Sequence, residues 1–442
     1  MFQRRSFLQS LGAAGLAATA NPAIGQTSGK SQFALSPFRF DVTPPLGHSL
    51  CGGWIKPVEG VDDELEAIGF VLHGAGKPIV LCAVDWTGLL NDANRRFREV
   101  LAAAANTTPD RVAVHCVHQH NAPFACLNAQ DIVGMQEGLP HIVQVDFFEE
   151  VLERAEKAAR KSLDHAIPLT HVATGEGRVE KVASNRRIHR DENGKIVAMR
   201  GSSCRDPKLR AMTEGIVDPQ LRTIAYYSGP KKIAACHYYA THPMSYYGDG
   251  RVTSDFTGIA RKRLQTAEPD CTHMYFTGCA GNISAGKYND GSKEQRPILA
   301  QRIFEGMTRA AESLKPIPLD KIGWRTAEVL PTARDGFSVD ELQKQIENDK
   351  QLVVNRNRPA YRWAWMKRLQ RKEPLLLSSL QLNDASTLHM PAESFIEYQL
   401  RANKLTGDRF LATAAYGDGG PWYIPTAEEY SAGGYEVSVA FS

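Results

Sequence analysis

The sequence predicts an α/β fold in which a mixed β-sheet core is layered with helices. Three observations carry that expectation. Short apolar strand candidates alternate with helical patterns along the chain, the arrangement that stacks helices on sheets. Turn residues such as Gly74-Ala75-Gly76-Lys77 and Gly229-Pro230 separate neighbouring apolar runs, which reads as hairpins. No internal repeat and no long low-complexity linker divides the chain, so residues 26–442 read as one domain.

The elements follow in order. Residues 67–73 and 78–85 form the first strand pair. Residues 91–106 are helical, with Asn91 or Asp92 as N-cap. Residues 111–117 are the next strand, and 145–163 have the apolar spacing of an amphipathic helix. Residues 221–227 and 232–239 make a second hairpin. A helix over 255–264 leads to a strand over 273–277. The helix over 297–314 opens on a proline suited to its first position, and 339–350 is a further helix. Strands at 375–382, 386–390 and 409–416 complete the set. Functional groups then belong in loops at strand ends.

Composition narrows the function. The 442 residues are 43% hydrophobic and 23% charged, enough for a substantial core. Formal net charge is +3, and Arg4 and Arg5 lie in a segment expected to be removed. The remainder is nearly neutral, which argues against a nucleic-acid binder with a concentrated basic face. The densest basic run, residues 362–371, carries Arg362, Lys367, Arg368 and Arg371 among Trp363, Trp365 and Met366. It reads as a solvated helix face, with a lid or an acidic-surface contact as the alternative.

Arg4-Arg5-Ser6-Phe7-Leu8 followed by small apolar residues to Ala20 is a twin-arginine export pattern. Its apolar stretch is short for a membrane span, so residues 1–25 read as an export signal and the chain as periplasmic or secreted. The eight cysteines form no Cys-x-x-Cys pattern. Cys82, Cys116 and Cys236 lie in apolar runs and read as buried thiols. One or two disulfides stay open in an oxidising compartment.

The chemistry begins at Val114-His115-Cys116-Val117-His118-Gln119-His120-Asn121-Ala122-Pro123. An apolar strand runs out into a loop that carries His118 and His120. Side chains two apart on a strand share a face. Two imidazoles side by side suit a divalent metal, zinc most often, or are ordinary loop chemistry. Five further segments are polar without a packing reason: Tyr239-Ala240-Thr241-His242-Pro243, Thr277-Gly278-Cys279-Ala280-Gly281-Asn282-Ile283-Ser284, Met390-Pro391-Ala392-Glu393, the stretch from Tyr416 to Thr426 with Tyr423, and Ser184-Asn185-Arg186-Arg187. Each alone has a plain reading. His242 can be a loop residue, Ser284 an N-cap, Glu393 a first-turn helix acid and Tyr423 a half-buried aromatic.

Taken together and in order, these segments resemble the catalytic domain of the neutral/alkaline (non-lysosomal) ceramidase family. Phe40-Asp41-Val42-Thr43-Pro44-Pro45 resembles its opening strand and turn, and His118-Gln119-His120-Asn121-Ala122-Pro123 its His-Thr-His-Ser-Gly-Pro. Asn185-Arg186, His242-Pro243-Met244-Ser245, Gly281-Asn282-Ile283-Ser284-Ala285 and Pro391-Ala392-Glu393 resemble further family elements. Tyr423-Ile424-Pro425-Thr426-Ala427-Glu428-Glu429-Tyr430 and Tyr435-Glu436 resemble its Tyr-Ile-Thr-Thr-x-Glu-Glu-Tyr and Tyr-Glu, and these are the most specific.

The resemblance implies a ceramidase-type domain without that family's C-terminal β-sandwich. It implies Zn2+ held by His118, His242, Glu393 and Tyr423, with His120 a catalytic partner off the metal. Ser284 is implied as nucleophile or as the group orienting the attacking water, and Arg186 and Tyr435 as lining the reacting carbonyl. The implied activity is hydrolysis of a linear amide, ceramide or a related lipid amide, with contact to a membrane surface for substrate. Ester cleavage on the same metal and non-catalytic ligand binding in the periplasm are the alternatives. Gln119, Asn121 and Ala122 depart from the family pattern and are expected to tune substrate preference.

Overall fold

Largely buried strands, flanked by partly exposed edge strands, assemble into two sheets of one design in the computed structural model, which describes residues 32–332 and 338–438. The first sheet contains β1 (Phe33–Asp41), β2 (Glu66–His73), β3 (Ile79–Val84), β4 (Val112–Cys116) and β5 (Ile167–Leu169), in the order β4-β3-β2-β1-β5. The second contains β6 (His171–Arg178), β7 (Gln220–Ser228), β8 (Lys231–Tyr239), β9 (Thr272–Thr277) and β10 (Ile317–Pro318), in the order β9-β8-β7-β6-β10. Every pairing is antiparallel except β3 with β4 and β8 with β9, which are parallel.

A parallel pair needs a crossover, normally a helix. In the first sheet α1 (Asp92–Ala104) crosses from β3 to β4, and α2 (Val145–Ser162) links β4 to β5. In the second, α3 (Asp255–Ala267) and α4 (Gln295–Glu312) occupy the same two places. The sequence carries no visible repeat, yet the topology repeats.

Period-two alternation sorts the strand residues between two cores. Ile68, Phe70 and Leu72 of β2 meet Ile224 and Tyr226 of β7 between the sheets. The Phe70 and Tyr226 rings touch edge to face with centroids 5.1 Å apart. The outward residues Val71, Val80 and Val84 pack with Phe97 and Leu101 of α1 and Phe148 and Val151 of α2. The layers are therefore helix, sheet, sheet, helix. Each fully buried side chain of this size contributes roughly 1.5–3 kcal/mol. A third sheet of β11 (Ile322–Val329), β12 (Leu375–Leu382), β13 (Ala385–His389) and β14 (Leu411–Ala414) feeds Leu380, Leu382, Ala412 and Ala414 into the inter-sheet core.

The α/β fold with mixed sheets is as the sequence predicts, but β5, β6, β10, β11 and most of β1 escape its apolar pattern, and for β6 and β11 the reason is plain. β6 reads as loop because Gly175 and Gly177 interrupt it. A Cβ at Gly175 would lie 2.1 Å from the Ala310 carbonyl, and one at Gly177 would lie 2.2 Å from the Gly306 carbonyl. The glycines let α4 lie directly on the strand. β11 is exposed along most of its length and so lacks an apolar signal. Asn91 is the N-cap of α1 as expected, but at φ 52° it makes no side-chain cap; its amide turns to Cys126 Sγ at 3.5 Å instead. α4 starts at Gln295, two residues before Pro297.

The basic run of residues 362–371 lies mostly on α6 (Val353–Gln370), after α5 (Val339–Glu347). It is anchored as well as solvated. Arg368 is buried, pairs with Asp418 and donates to Asn91 Oδ1 at 3.3 Å, while Tyr361 donates to the Phe124 carbonyl at 3.1 Å. All eight cysteines are buried free thiols, so the open question of disulfides resolves without one. Among the described residues no helix is long and apolar enough to cross a membrane. The export-signal segment, residues 1–25, lies outside the described residues.

Candidate metal centre

β4 ends at Cys116, and two residues later His118 takes φ 79°. Left-handed backbone recurs around it at Ala392 (49°), Tyr416 (58°) and Trp422 (57°). Such conformations cost roughly 1–3 kcal/mol each at non-glycine residues and persist where the surroundings impose them. The turn at His118 overrides strand alternation, so His118 and His120 do not present themselves as an equivalent pair.

His118 Nδ1 donates to the Thr87 carbonyl at 2.6 Å. His242, three residues past β8, donates from Nδ1 to the Ala280 carbonyl at 2.7 Å. A carbonyl can only accept, so both Nδ1 atoms carry the proton and both Nε2 atoms present lone pairs. Those Nε2 atoms lie 3.2 Å apart. Glu393 Oε2 lies 3.0 Å from His242 Nε2 and 3.3 Å from His118 Nε2. Three acceptors, two buried imidazoles and a partly exposed carboxylate, face one point without a donor among them.

Burial pulls the His242 pKa down to about 3, and the Arg186 charge pushes the same way. A cation satisfies this set. The 3.0–3.3 Å separations match the edge of a tetrahedron of donors around zinc, roughly 3.3 Å for bonds of ~2.0–2.1 Å.

Glu393 is positioned by β-pairing. Glu393–Ser394 runs parallel to Tyr423–Ile424, with Glu393 opposite Tyr423. Gly281 packs against this segment, where a Cβ would lie 2.2 Å from the Glu393 carbonyl. Asn282 completes the clamp: its Oδ1 accepts from Ile396 N at 2.9 Å, and its Nδ2 donates to Glu397 Oε2 at 3.0 Å. An aspartate at this position could not make the second bond, since a carboxylate has no donor for Glu397.

The Tyr423 ring lies 6.5 Å from that of His242, stacked at 21°. Arg186, fully enclosed, donates from one nitrogen to Tyr423 Oη at 3.1 Å and to Tyr435 Oη, and from the other to Ser202 Oγ at 3.1 Å. Desolvation of its hydroxyl pushes the Tyr435 pKa up to about 12 against the opposing Arg186, so the phenol keeps its proton. The His120 ring sits 4.9 Å from His118 and 5.5 Å from Tyr247, and its Nδ1 is buried without a hydrogen-bond partner. Burial, then His118 and His242, hold its pKa well below the ordinary value.

This fold has known counterparts. A ceramidase described as complexed with C2 aligns with TM-score 0.66 at 14% identity, covering 92% of this chain and 72% of that one. Neutral ceramidase from Pseudomonas aeruginosa aligns with TM-score 0.64 at 16% identity, covering 92% of this chain and 71% of that one. The fold is that of the neutral ceramidases. No protein-family model and no curated protein matches the chain.

On this ceramidase fold, the structure brings His118, His242, Glu393, Tyr423, Arg186, Tyr435 and His120 into one neighbourhood. Ser284 stands apart in its bonding. It is buried in a short pairing with Ser184, and its hydroxyl donates to the Gly201 carbonyl at 3.0 Å. Among the described residues no imidazole or carboxylate accepts from it. Gln119, Asn121 and Ala122, expected to tune substrate preference, brace the loop itself, so any such tuning acts through the loop's shape. Gln119 donates to the Asp85 carbonyl, Asn121 donates to Asp249 Oδ1 at 2.9 Å and to the Arg251 carbonyl at 2.7 Å, and Ala122 is fully buried.

Sequence reasoning missed two groups. Arg187 is buried and pairs with Glu429 at 2.7 Å and Glu436 at 2.8 Å, tying down the segment that holds Tyr423 and Tyr435. Its signal was the second arginine beside Asn185-Arg186, matched by acids in the last motif. Behind the metal centre Trp54 meets Trp422 and Phe124, each at 5.5 Å. Trp422 and Phe124 also line a small cavity with His118 and Glu393. Aromatics so far apart in sequence carry no local sign of meeting.

Proposed function

We propose that this protein is an exported zinc-dependent hydrolase of a linear amide, with a lipid amide such as an N-acylsphingosine as the substrate class. One observation carries the reading: the Nε2 atoms of His118 and His242 and Oε2 of Glu393 converge as three acceptors within 3.3 Å of one another. Tyr423, paired with Glu393, completes the donor set. Bound zinc polarises a carbonyl and lowers the pKa of water.

The chain's own residues supply the rest. Thr87 and Ala280 carbonyls hold the two imidazoles in the ligating tautomer. Arg186 places a fixed positive charge behind Tyr423 and Tyr435, and Tyr435 O–H donates to the oxygen on which charge develops. His120, neutral at physiological pH, takes the proton of the attacking water and passes it to the departing amine. The committed Ser284 hydroxyl supports a positioning role rather than a nucleophilic one.

Metal analysis with turnover of matched N-acyl amides and esters tests this. The native chain is expected to bind zinc at this centre and cleave the amide, while His118→Ala loses both. Ser284→Ala is expected to keep most of the turnover. Amide inertness with zinc bound, or metal content at this centre unchanged in His118→Ala, overturns the reading. Ester-only turnover reassigns the reaction.

A further inference from the structure

A second donor cluster lies at the other end of the second sheet. His242 follows the C-terminal end of β8, whereas Glu268, Cys271 and His273 surround the start of its parallel neighbour β9. Their carboxylate oxygen, sulfur and ring nitrogen lie within 4.8 Å of one another. Six residues supply the three donors. Glu268 follows the last turn of α3, Cys271 N closes the turn onto the Glu268 carbonyl at 3.0 Å, and His273 opens the strand. Cys271 and His273 are two apart where the chain becomes extended, which turns both side chains one way.

The imidazole points to a ligand. His273 is 1% exposed, its Nε2 is buried without a hydrogen-bond partner, and that atom lies 3.3 Å from Glu268 Oε2. Behind it runs a relay: His273 Nδ1 lies 3.1 Å from His237 Nε2, and His237 Nδ1 lies 2.9 Å from Thr223 Oγ1. Run with Thr223 accepting from His237 and His237 from His273, the relay leaves His273 Nε2 a lone pair for a metal; run the other way, it leaves an N–H facing Glu268 in the metal-free chain. Such relays orient metal-binding imidazoles. Lys232 Nζ lies 2.6 Å from Glu268 Oε2 and supplies the positive charge that a metal would otherwise bring.

We propose that Glu268, Cys271 and His273 form a second transition-metal site, with a position left for solvent. A thiolate, an imidazole and a carboxylate are zinc or cobalt donors rather than magnesium or calcium donors. The half-exposed Glu268 gives the ion an entry path, and binding releases the thiol proton to solvent. The bound ion staples the end of α3 to the start of β9. This site is independent of the hydrolase reading.

The test uses the full chain loaded with Co2+, read by metal content and by the near-ultraviolet thiolate-to-cobalt band. Two equivalents are expected in the native chain and one in Cys271→Ser, which loses the band but keeps the first centre. His118→Ala is expected to lose the other equivalent and keep the band. One equivalent in the native chain, with no band, overturns the proposal and leaves an ion pair with Lys232. Lys232→Gln keeps the test open should Cys271→Ser fail to fold. Removing the competing ammonium is expected to tighten binding at the band by about 10-fold, and unchanged affinity overturns the role of Glu268.

Discussion

The two halves of the molecule share one topology and place their histidines differently. In the first half His118 follows the fourth strand, and the carbonyl that orients it, Thr87, follows the third. In the second half His242 follows the third strand, and its orienting carbonyl, Ala280, follows the fourth. Each half is a self-contained imidazole holder, with donor and support exchanged between corresponding strand ends. The exchange lets the two Nε2 atoms meet at 3.2 Å. Neither half supplies the carboxylate. Glu393 and Tyr423 come from segments after the third sheet's strands β13 and β14.

The strongest way to break this comparison is to remove one holder. His242→Ala should abolish zinc binding at the triad and lower amide turnover by at least ~10³-fold, several kcal/mol of lost stabilisation. Metal analysis and kinetics check it, and a variant that retains zinc at the triad would mean that the halves do not share the centre.

The next largest effect lies at the bridge between halves. Arg261 of α3 is fully buried against Asp85, just past β3, at 2.9 Å, and reaches Glu66 of β2 at 3.1 Å. Arg261→Leu leaves Asp85 without its guanidinium and should destabilise the fold by about 3–5 kcal/mol in denaturant unfolding. A loss below ~1 kcal/mol would show that the halves hold together by apolar packing alone.

Acid sharpens the comparison less abruptly. Burial lowers His48 and His115 from 6.5 to about 4. Both are neutral in the folded chain, and the unfolded chain protonates them first. Their contribution is present above pH 6.5 and is lost as pH falls from there towards 4, roughly 3 kcal/mol for each. Unfolding measured from pH 7 to 4 should show that decline, and His115→Gln should flatten part of it if the fold accepts the amide.

The smallest effect concerns the loop joining the two histidine segments. Asn121→Ala removes three hydrogen bonds to residues 248–251 and should cost about 1–3 kcal/mol. Because Tyr247, in contact with His120, rides on that loop, KM should change more than zinc content.

Much of this was legible before the fold was known. Apolar runs bounded by turns located β2, β3, β4, β7, β8 and β9 within a few residues, because burial on both faces leaves a continuous hydrophobic signal. The His118, His242, Glu393 and Tyr423 segments stood out as polar loops at strand ends. β6 was hidden by the glycines that admit α4, and β11 by its exposure. Gln119 and Asn121 were expected to tune substrate preference; the fold shows them bracing the loop, a role that spacing could not give because a side chain's direction at a left-handed turn is set by the partners it meets.

By itself the sequence determined the layers, the strand ends and the residue types that could ligate a metal, all of them local patterns of burial and turn chemistry. The tertiary structure alone decided that the sheets repeat one topology and that His118 and His120 part company. It alone decided that residues 118, 242 and 393 present lone pairs to one point and that the Ser284 proton is already committed. Those outcomes depend on which distant carbonyl each group meets, and that depends on how three sheets pack rather than on any window of the chain.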